Sequence, residues 1–143
     1  MKRIVTFIAL CDIAISISAQ GARINNSWLE HGVNGGMRIH VNMDVWDLQY
    51  CQVDVICFIW HENGKKVYST DGFYQARDRQ VCTAIKVTPN YQSSNWSDLQ
   101  LWIPVTQITD SKNRRNYKCR IEVFYNHNFL VAGDYMNFAA WRN

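Results

Sequence analysis

Histidines are the side chains of this sequence best suited to chemistry, because imidazole both carries protons and binds metals near neutral pH. There are four of them, His31, His40, His61 and His127, and no two stand at a spacing that places them on one strand face or one helical turn. The compact ligand spacing of zinc sites is therefore missing. The sequence predicts no metal site and no cofactor.

His40 lies in the stretch GMRIHVNMD, residues 36 to 44, in which apolar and polar residues alternate. Such alternation indicates a strand with one buried row and one solvent-facing row. His40 belongs to the polar row. We predict that its side chain faces solvent or a neighbouring strand and is not a reactive centre.

Catalytic nucleophiles usually stand on sharp turns flanked by glycine, and the sequence contains no G-x-S-x-G motif. Several acidic residues are available for glycosidase chemistry, but each is more simply a turn former or a solvent-facing residue: Asp71, Asp78, Asp98, Glu122 and Asp134. Calcium through Asp44 and Asp47, or through Asp71 and Asp78, is a weaker alternative because too few oxygens are present. We predict no catalytic residues and no enzymatic activity.

The N-terminal segment has the layout of a secretory signal peptide. Lys2 and Arg3 precede an apolar run, and small residues end at Ala19. We expect cleavage near Ala19 and export to the periplasm, the cell surface or the medium, with no transmembrane segment in the remaining chain. Lipid anchoring at Cys11 is the less favoured alternative, because the large Leu10 stands where a lipoprotein box has a small residue.

Removal of residues 1 to 19 lowers the formal net charge from +3 to +2, because Lys2, Arg3 and Asp12 are lost. A balance so close to neutral predicts no nucleic-acid partner, since such partners normally need a clustered basic face. The remaining residues, 20–143, are enough for a single domain with its own core.

Four cysteines follow the predicted cleavage site, and an oxidising compartment would allow them to form disulfides: Cys51, Cys57, Cys82 and Cys119. Cys51 and Cys57 cannot pair with each other on one extended strand, because six residues at about 3.3 Å each span roughly 20 Å. Cys82 lies opposite the apolar row of its own strand, which weakens a two-disulfide pattern. The alternative is free, buried thiols that pack as small apolar residues.

Alternation of apolar and polar residues recurs from residue 36 to the end of the chain, and no helical period of ten residues or more occurs. Turn signals such as Asn63-Gly64 and Pro89-Asn90 separate the alternating runs about every ten residues. Seven or eight short strands of this kind predict an all-β fold, an antiparallel two-sheet β-sandwich of immunoglobulin-like or C2-like type. Residues 20–143 form that single domain.

Four segments of the sequence, taken as a set, are typical of a known family: GMRIHVNMDV, STDGFY, VTPNYQSSNWSDLQLWIP and VFYNHNFLVAGDYMNF. Together they resemble a small secreted β-sandwich domain of Bacteroidetes, found alone or C-terminal to peptidase-like envelope proteins. The resemblance implies an antiparallel sandwich with an accessory role, and it implies no catalytic residues. The sequence departs from the family at Arg77-Asp78-Arg79, where an Asp-Gly turn is usual, and at Val105, where an aromatic residue is usual.

Five aromatic residues fall in the rows that alternate with the apolar core rows, so their side chains should face outward: Trp46, Phe58, Trp60, Trp102 and Phe124. Large aromatic side chains on a polar sheet face mark a contact surface when they are contiguous. Tryptophan near arginine is also the composition of interface hot spots. The alternative is that loops or the chain ends cover these rings.

The sequence therefore predicts a secreted, non-catalytic binding module that contacts another envelope or extracellular protein through an aromatic sheet face. A glycan-binding module is the alternative, in which tryptophan rings stack on sugar rings while amide side chains bind the hydroxyl groups. A small hydrolase is the third and disfavoured possibility.

Overall fold

A computed structural model describes residues 20–143, and the predicted signal peptide, residues 1–19, lies outside the described residues. The described chain forms eight strands and one short helix: β1 (Gly21–Val33), β2 (Gly36–Trp46), β3 (Val53–His61), β4 (Cys82–Val87), β5 (Ser93–Pro104), α1 (Val105–Ile108), β6 (Arg115–Tyr125), β7 (Asn128–Ala132) and β8 (Met136–Ala140). In this part of the chain, no helix is long and apolar enough to cross a membrane.

The strands form two antiparallel sheets, which confirms the predicted all-β sandwich. One sheet has three strands in the order β1-β2-β5. The other has five: β4, β3 and β6 lie side by side, and β7 and β8 both pair with the remaining edge of β6, at its two ends. The long strands β2, β3 and β6 thus form the frame on which the outward-facing side chains stand.

The core lies between the two sheets and is formed by the inward rows of their strands. Side chains of these rows are almost fully buried: Ile39, Val41 and Met43 on β2, Val55, Cys57 and Ile59 on β3, and Cys119, Ile121 and Val123 on β6. Because successive side chains of a strand point to opposite faces, the residues between them face away from the core. The predicted inward and outward rows of these strands are confirmed.

The sequence pattern did not predict β1, because the prediction of strands began only at residue 36. β1 is an edge strand in which only Ala22 is buried. Its register against β2 shifts between Ile24 and Asn26 and again between His31 and Val33. These irregularities break the two-residue period, so an apolar row never emerges from the sequence of this strand.

Candidate functional site

A continuous group of aromatic side chains covers part of the outer face of the five-stranded sheet. Phe58 and Trp60 come from β3, Phe124 from β6, Phe129 from β7 and Tyr135 from the β7–β8 connection. The ring centroids of neighbouring members lie 5.8 Å apart for Phe129 and Phe124, 6.5 Å for Phe124 and Phe58, 6.1 Å for Phe58 and Trp60, and 5.4 Å for Trp60 and Tyr135. We call these five residues the aromatic face.

Exposure within the aromatic face rises from its centre to its ends. Phe58, Trp60 and Phe124 are half-buried, whereas Phe129 is 56% exposed and Tyr135 is 45% exposed. The aromatic face is therefore a contiguous apolar surface with an exposed ring at each end.

The rings of the aromatic face meet mostly edge to face rather than side by side. Their planes cross at 76° for Phe58 and Phe124, at 80° for Trp60 and Tyr135, and at 73° for Phe124 and Phe129. This arrangement follows the quadrupole of the rings, which favours an edge against a face. The result is a ridged surface rather than one flat platform.

Two basic side chains stand beside the aromatic face. The ammonium nitrogen of Lys118 lies 4.5 Å from the Tyr135 ring centroid, and the Arg120 guanidinium lies 4.8 Å from Tyr135 and 5.5 Å from Trp60. Arg120 also donates a hydrogen bond of 3.0 Å to Glu122, a buried carboxylate in the outward row of β6. Positive charge therefore lies at one end of an otherwise apolar surface.

The structure divides the five predicted contact residues between the two sheets. Phe58, Trp60 and Phe124 lie together on the aromatic face, whereas Trp46 and Trp102 stand on the outer face of the three-stranded sheet. The two outer faces point away from each other, so the five side chains do not form one surface. Pairing between distant strands decides this division, and the sequence pattern carried no information about it.

Trp102 has a structural role on the three-stranded sheet. Its indole N–H donates a hydrogen bond of 2.8 Å to the carbonyl of Val33, at the end of β1. Its ring lies over Gly36, at 2.7 Å from the position that a Cβ atom would occupy there. Trp46 covers Gly21 in the same way, at the other end of the β1–β2 pair. Both glycines are thus required where a ring lies directly on the backbone.

Two members of the aromatic face, Phe129 and Tyr135, were not predicted as contact residues. Both lie in the short runs at the end of the chain, in which the sequence pattern gave strands but no inward or outward row. The pairing of Phe129 opposite Phe124 places it beside the predicted residues. The sequence shows that both residues are aromatic, but it does not show which face of the sheet their side chains occupy.

His40 lies on the outward row of β2, as predicted, and it is only 7% exposed. Of the two predicted environments, solvent or a neighbouring strand, the structure shows the neighbouring strand. The Trp28 ring of β1 covers it, with the two rings parallel within 3° and their centroids 5.0 Å apart. The register places Trp28 directly opposite His40. Since β1 was not predicted, the side chain that buries His40 was not predicted either.

Both ring nitrogens of His40 bind carboxylates. Nε2 lies 2.9 Å from Glu30 on β1, and Nδ1 bonds Asp98 on β5. Burial acts to lower the pKa of His40, but the hydrogen bonds to Asp98 and Glu30 outweigh it and leave this pKa above its ordinary value. With neither nitrogen free, the imidazole joins three strands and is not placed to act as a base. We call Trp28, Glu30, His40 and Asp98 the histidine cluster.

Asp98 is held towards His40 by an irregularity of the sheet. Its φ angle is +56°, and its backbone N–H donates a hydrogen bond of 2.7 Å to the side chain of Asn42. The register between β2 and β5 shifts at this point, between Val41 and Met43. The bond with His40 in turn holds the pKa of the Asp98 carboxyl below its ordinary value.

All four cysteines of residues 20–143 are free thiols, so the structure contains none of the disulfides that the sequence allowed. The Cys57 and Cys119 thiols contact each other in the core, and this hydrogen bond together with burial raises the pKa of Cys57 well above its usual range. Cys82 lies opposite Phe58 and thus faces outward, as predicted, and burial raises its pKa to about 11. Cys57 and Cys82 are therefore neutral at pH 7, and all three buried thiols pack as small apolar groups.

The carboxylates considered for calcium are engaged by other groups of the protein: Arg23 pairs with Asp44, and the Gln92 side chain donates a hydrogen bond to Asp47. Asp71 accepts hydrogen bonds from the Gln107 side chain and the Phe73 backbone, whereas Asp78 pairs with Lys66 at 2.6 Å. Within the part of the chain that the structure describes, no group of three or more His, Cys, Asp or Glu side chains is arranged to hold a metal ion.

Comparison of the chain with models of known protein families gives no match, and comparison with curated proteins gives none either. The resemblance to a secreted Bacteroidetes domain stays a prediction. Roles are therefore assigned to residues from geometry, burial and charge alone.

Proposed function

We propose that this protein is a secreted, non-catalytic binding module that contacts another envelope or extracellular protein through the aromatic face. The observation that carries the proposal is the continuous contact of five aromatic rings on one outer sheet face, with exposed rings at both ends. The signal-peptide layout of residues 1 to 19 and the resemblance to a secreted accessory domain support an exported location.

The composition of the aromatic face suits a protein partner. Tryptophan, tyrosine and arginine are the residues that most often dominate the free energy of protein association. Here Trp60, Tyr135 and Arg120 contact one another, and phenylalanine rings extend the surface beside them. A partner that covers these rings removes apolar area from water without first breaking hydrogen bonds between them.

The same geometry favours a protein over a glycan, the alternative. A sugar ring needs a flat aromatic face that is free to receive it. In the aromatic face the rings cross at steep angles, and Lys118 and Arg120 already lie over Tyr135, with Arg120 also over Trp60. Irregular protein side chains fit such a ridged surface better than the flat side of a sugar.

The test is capture of a partner by the protein and by two matched variants after chemical cross-linking in the cells that produce it. Phe129→Ala removes an exposed ring of the aromatic face, and Tyr91→Ala removes a ring that is 71% exposed in the β4–β5 connection. We expect Phe129→Ala to lose the partner and Tyr91→Ala to keep it. Equal capture by the two variants would remove the aromatic face as the contact surface, and displacement of the partner by free sugar would favour the glycan alternative.

A further inference from the structure

Positive charge is concentrated in the last part of the chain. Residues 110–143 contain six basic residues, Lys112, Arg114, Arg115, Lys118, Arg120 and Arg142, and three acidic ones, Asp110, Glu122 and Asp134. Their formal charge is therefore +3, and the remaining described residues carry −1 of the +2 total. The near-neutral total thus conceals a basic region, which the composition of the sequence alone did not show.

Three of these basic residues form a line along the outer side of β6. Lys118 and Arg120 stand in its outward row, and Arg114 precedes the strand with its guanidinium 5.9 Å from the Trp141 ring centroid. From Arg114 to Arg120 the line is about 20 Å long, at about 3.3 Å per residue of strand. We call Arg114, Lys118 and Arg120 the basic stripe, and it runs into the aromatic face at Tyr135 and Trp60.

The charge of the basic stripe is largely unneutralised. Arg120 pairs with Glu122, whereas no ion pair among the described residues includes Arg114 or Lys118. Instead, aromatic rings hold both cations in place. A cation over a ring is oriented by the ring quadrupole but keeps its full charge. Two of the three cations of the stripe are therefore held in place without an anionic partner among the described residues.

We infer that the partner of the aromatic face is a protein that presents an extended acidic segment to the basic stripe; this inference rests on the proposed function. Side chains on one side of an extended segment recur about every 7 Å, which is also the spacing of the outward row of β6. Opposite charge steers the segment to the stripe and fixes its register. Among the described residues, no cation lies over the rings of Phe58, Phe124 and Phe129. This part of the aromatic face is therefore apolar, and the partner should contact it with apolar side chains that follow its acidic segment.

The first experiment screens a random peptide library, displayed on phage, against the folded protein and its Lys118→Gln variant. The matched control is Lys65→Gln, which removes a lysine from the exposed turn between β3 and β4. We expect selected peptides to be rich in Asp and Glu on alternate positions, followed by apolar residues. Lys118→Gln should weaken their binding about threefold to fivefold, the effect of one exposed ion pair, whereas Lys65→Gln should not.

A second arm measures binding of the same peptides at rising salt concentration and in competition with two other polyanions, single-stranded oligothymidylate and heparin fragments. We expect affinity to fall with salt, because exposed charges are screened. Tighter binding of either polyanion than of the acidic peptides would overturn the assignment of an acidic protein segment.

The outcomes separate this inference from the proposed function. Selected peptides without acidic residues, lost with Phe129→Ala but not with Lys118→Gln, would overturn the acidic segment and leave the aromatic face as the binding surface. Peptides indifferent to both substitutions would overturn both. Peptides weakened by both substitutions would support both.

Discussion

The outer faces of the two sheets differ in where their polar and aromatic side chains find contacts. On the three-stranded sheet, Arg23 pairs with Asp44 at 2.7 Å, Gln100 donates to Asp98 at 2.9 Å, and His40 lies between two carboxylates. On the five-stranded sheet, the rings of the aromatic face contact one another; of the two cations beside them, Arg120 pairs with Glu122, whereas Lys118 is in no ion pair among the described residues.

This difference separates a surface that stabilises the fold from one that is available to a partner. Binding at the three-stranded sheet would have to break bonds that already satisfy its polar groups, and that cost opposes association. Binding at the aromatic face covers rings that water now contacts. Side chains that look alike in sequence, outward-facing tryptophans above all, thus stabilise one sheet and, in the proposed function, form the contact surface on the other.

Trp102→Ala tests the stability side of this comparison most strongly. It removes a half-buried ring over Gly36 and the hydrogen bond to Val33, so we expect the free energy of unfolding to fall by about 2–4 kcal/mol. Chemical denaturation measures the change. Trp102→Phe keeps a ring and loses the hydrogen bond, and it should cost about 0.5–1.5 kcal/mol. If Trp102→Ala leaves stability unchanged, Trp102 is not a structural residue.

His40→Gln should cost less, about 1–2 kcal/mol at pH 6, because the carboxylates it bonds are partly exposed and water screens them. The pKa of folded His40 lies above 6.5, so its contribution is fully present below pH 6.5 and is lost as the pH rises through the raised value. At low pH the limit is set by Asp98, whose pKa in the folded protein lies below 3.8. The stability that Asp98 contributes is lost as the pH falls through this lowered pKa.

Denaturation of the protein and of His40→Gln across the pH range checks this prediction. Arg38 must be considered as well, because its guanidinium lies 3.8 Å from Glu30 and also interacts with Asp98. Arg38 is present in both proteins, so a difference in pH dependence between them belongs to the histidine cluster. A stability difference that stays constant from pH 5 to pH 9 would contradict it.

The sequence predicted the sandwich because alternation is a local property, visible within β2, β3 and β6 without any knowledge of their neighbours. It failed for the histidine cluster because His40 is 58 residues from Asp98 in the chain, and because β1, which supplies Glu30 and Trp28, lacks regular alternation. Burial of a side chain on an outward row depends on the neighbouring strand. That neighbour is set by pairing across the whole sheet, which a single sequence does not show.

Phe129→Ala should separate recognition from stability. The ring is more than half exposed and contacts Phe124 edge to face, so we expect the free energy of unfolding to fall by no more than about 1 kcal/mol. Affinity for the partner should fall at least tenfold, as for a contact residue near a hot spot. A large loss of stability with intact binding would place Phe129 with Trp102, as a structural residue.

Arg23→Gln should have the smallest effect. The Arg23 side chain is 67% exposed, and its pair with Asp44 is screened by water and salt. We expect a change of about 0.5 kcal/mol or less in the free energy of unfolding, smaller still at high salt, and no change in partner binding. Weaker binding in this variant would show that the three-stranded sheet also contributes to the contact surface.

Photo-cross-linking from one position on each outer face tests most directly whether the aromatic face is the binding surface. Benzoylphenylalanine is introduced in place of Phe129, on the aromatic face, or in place of Trp28, on the three-stranded sheet, and the cells that produce the protein are irradiated. We predict a protein adduct from position 129 that disappears when Trp60→Ala is added, and no adduct from position 28. An adduct from position 28 alone, or one from position 129 that persists with Trp60→Ala, would contradict the assignment of the aromatic face as the binding surface.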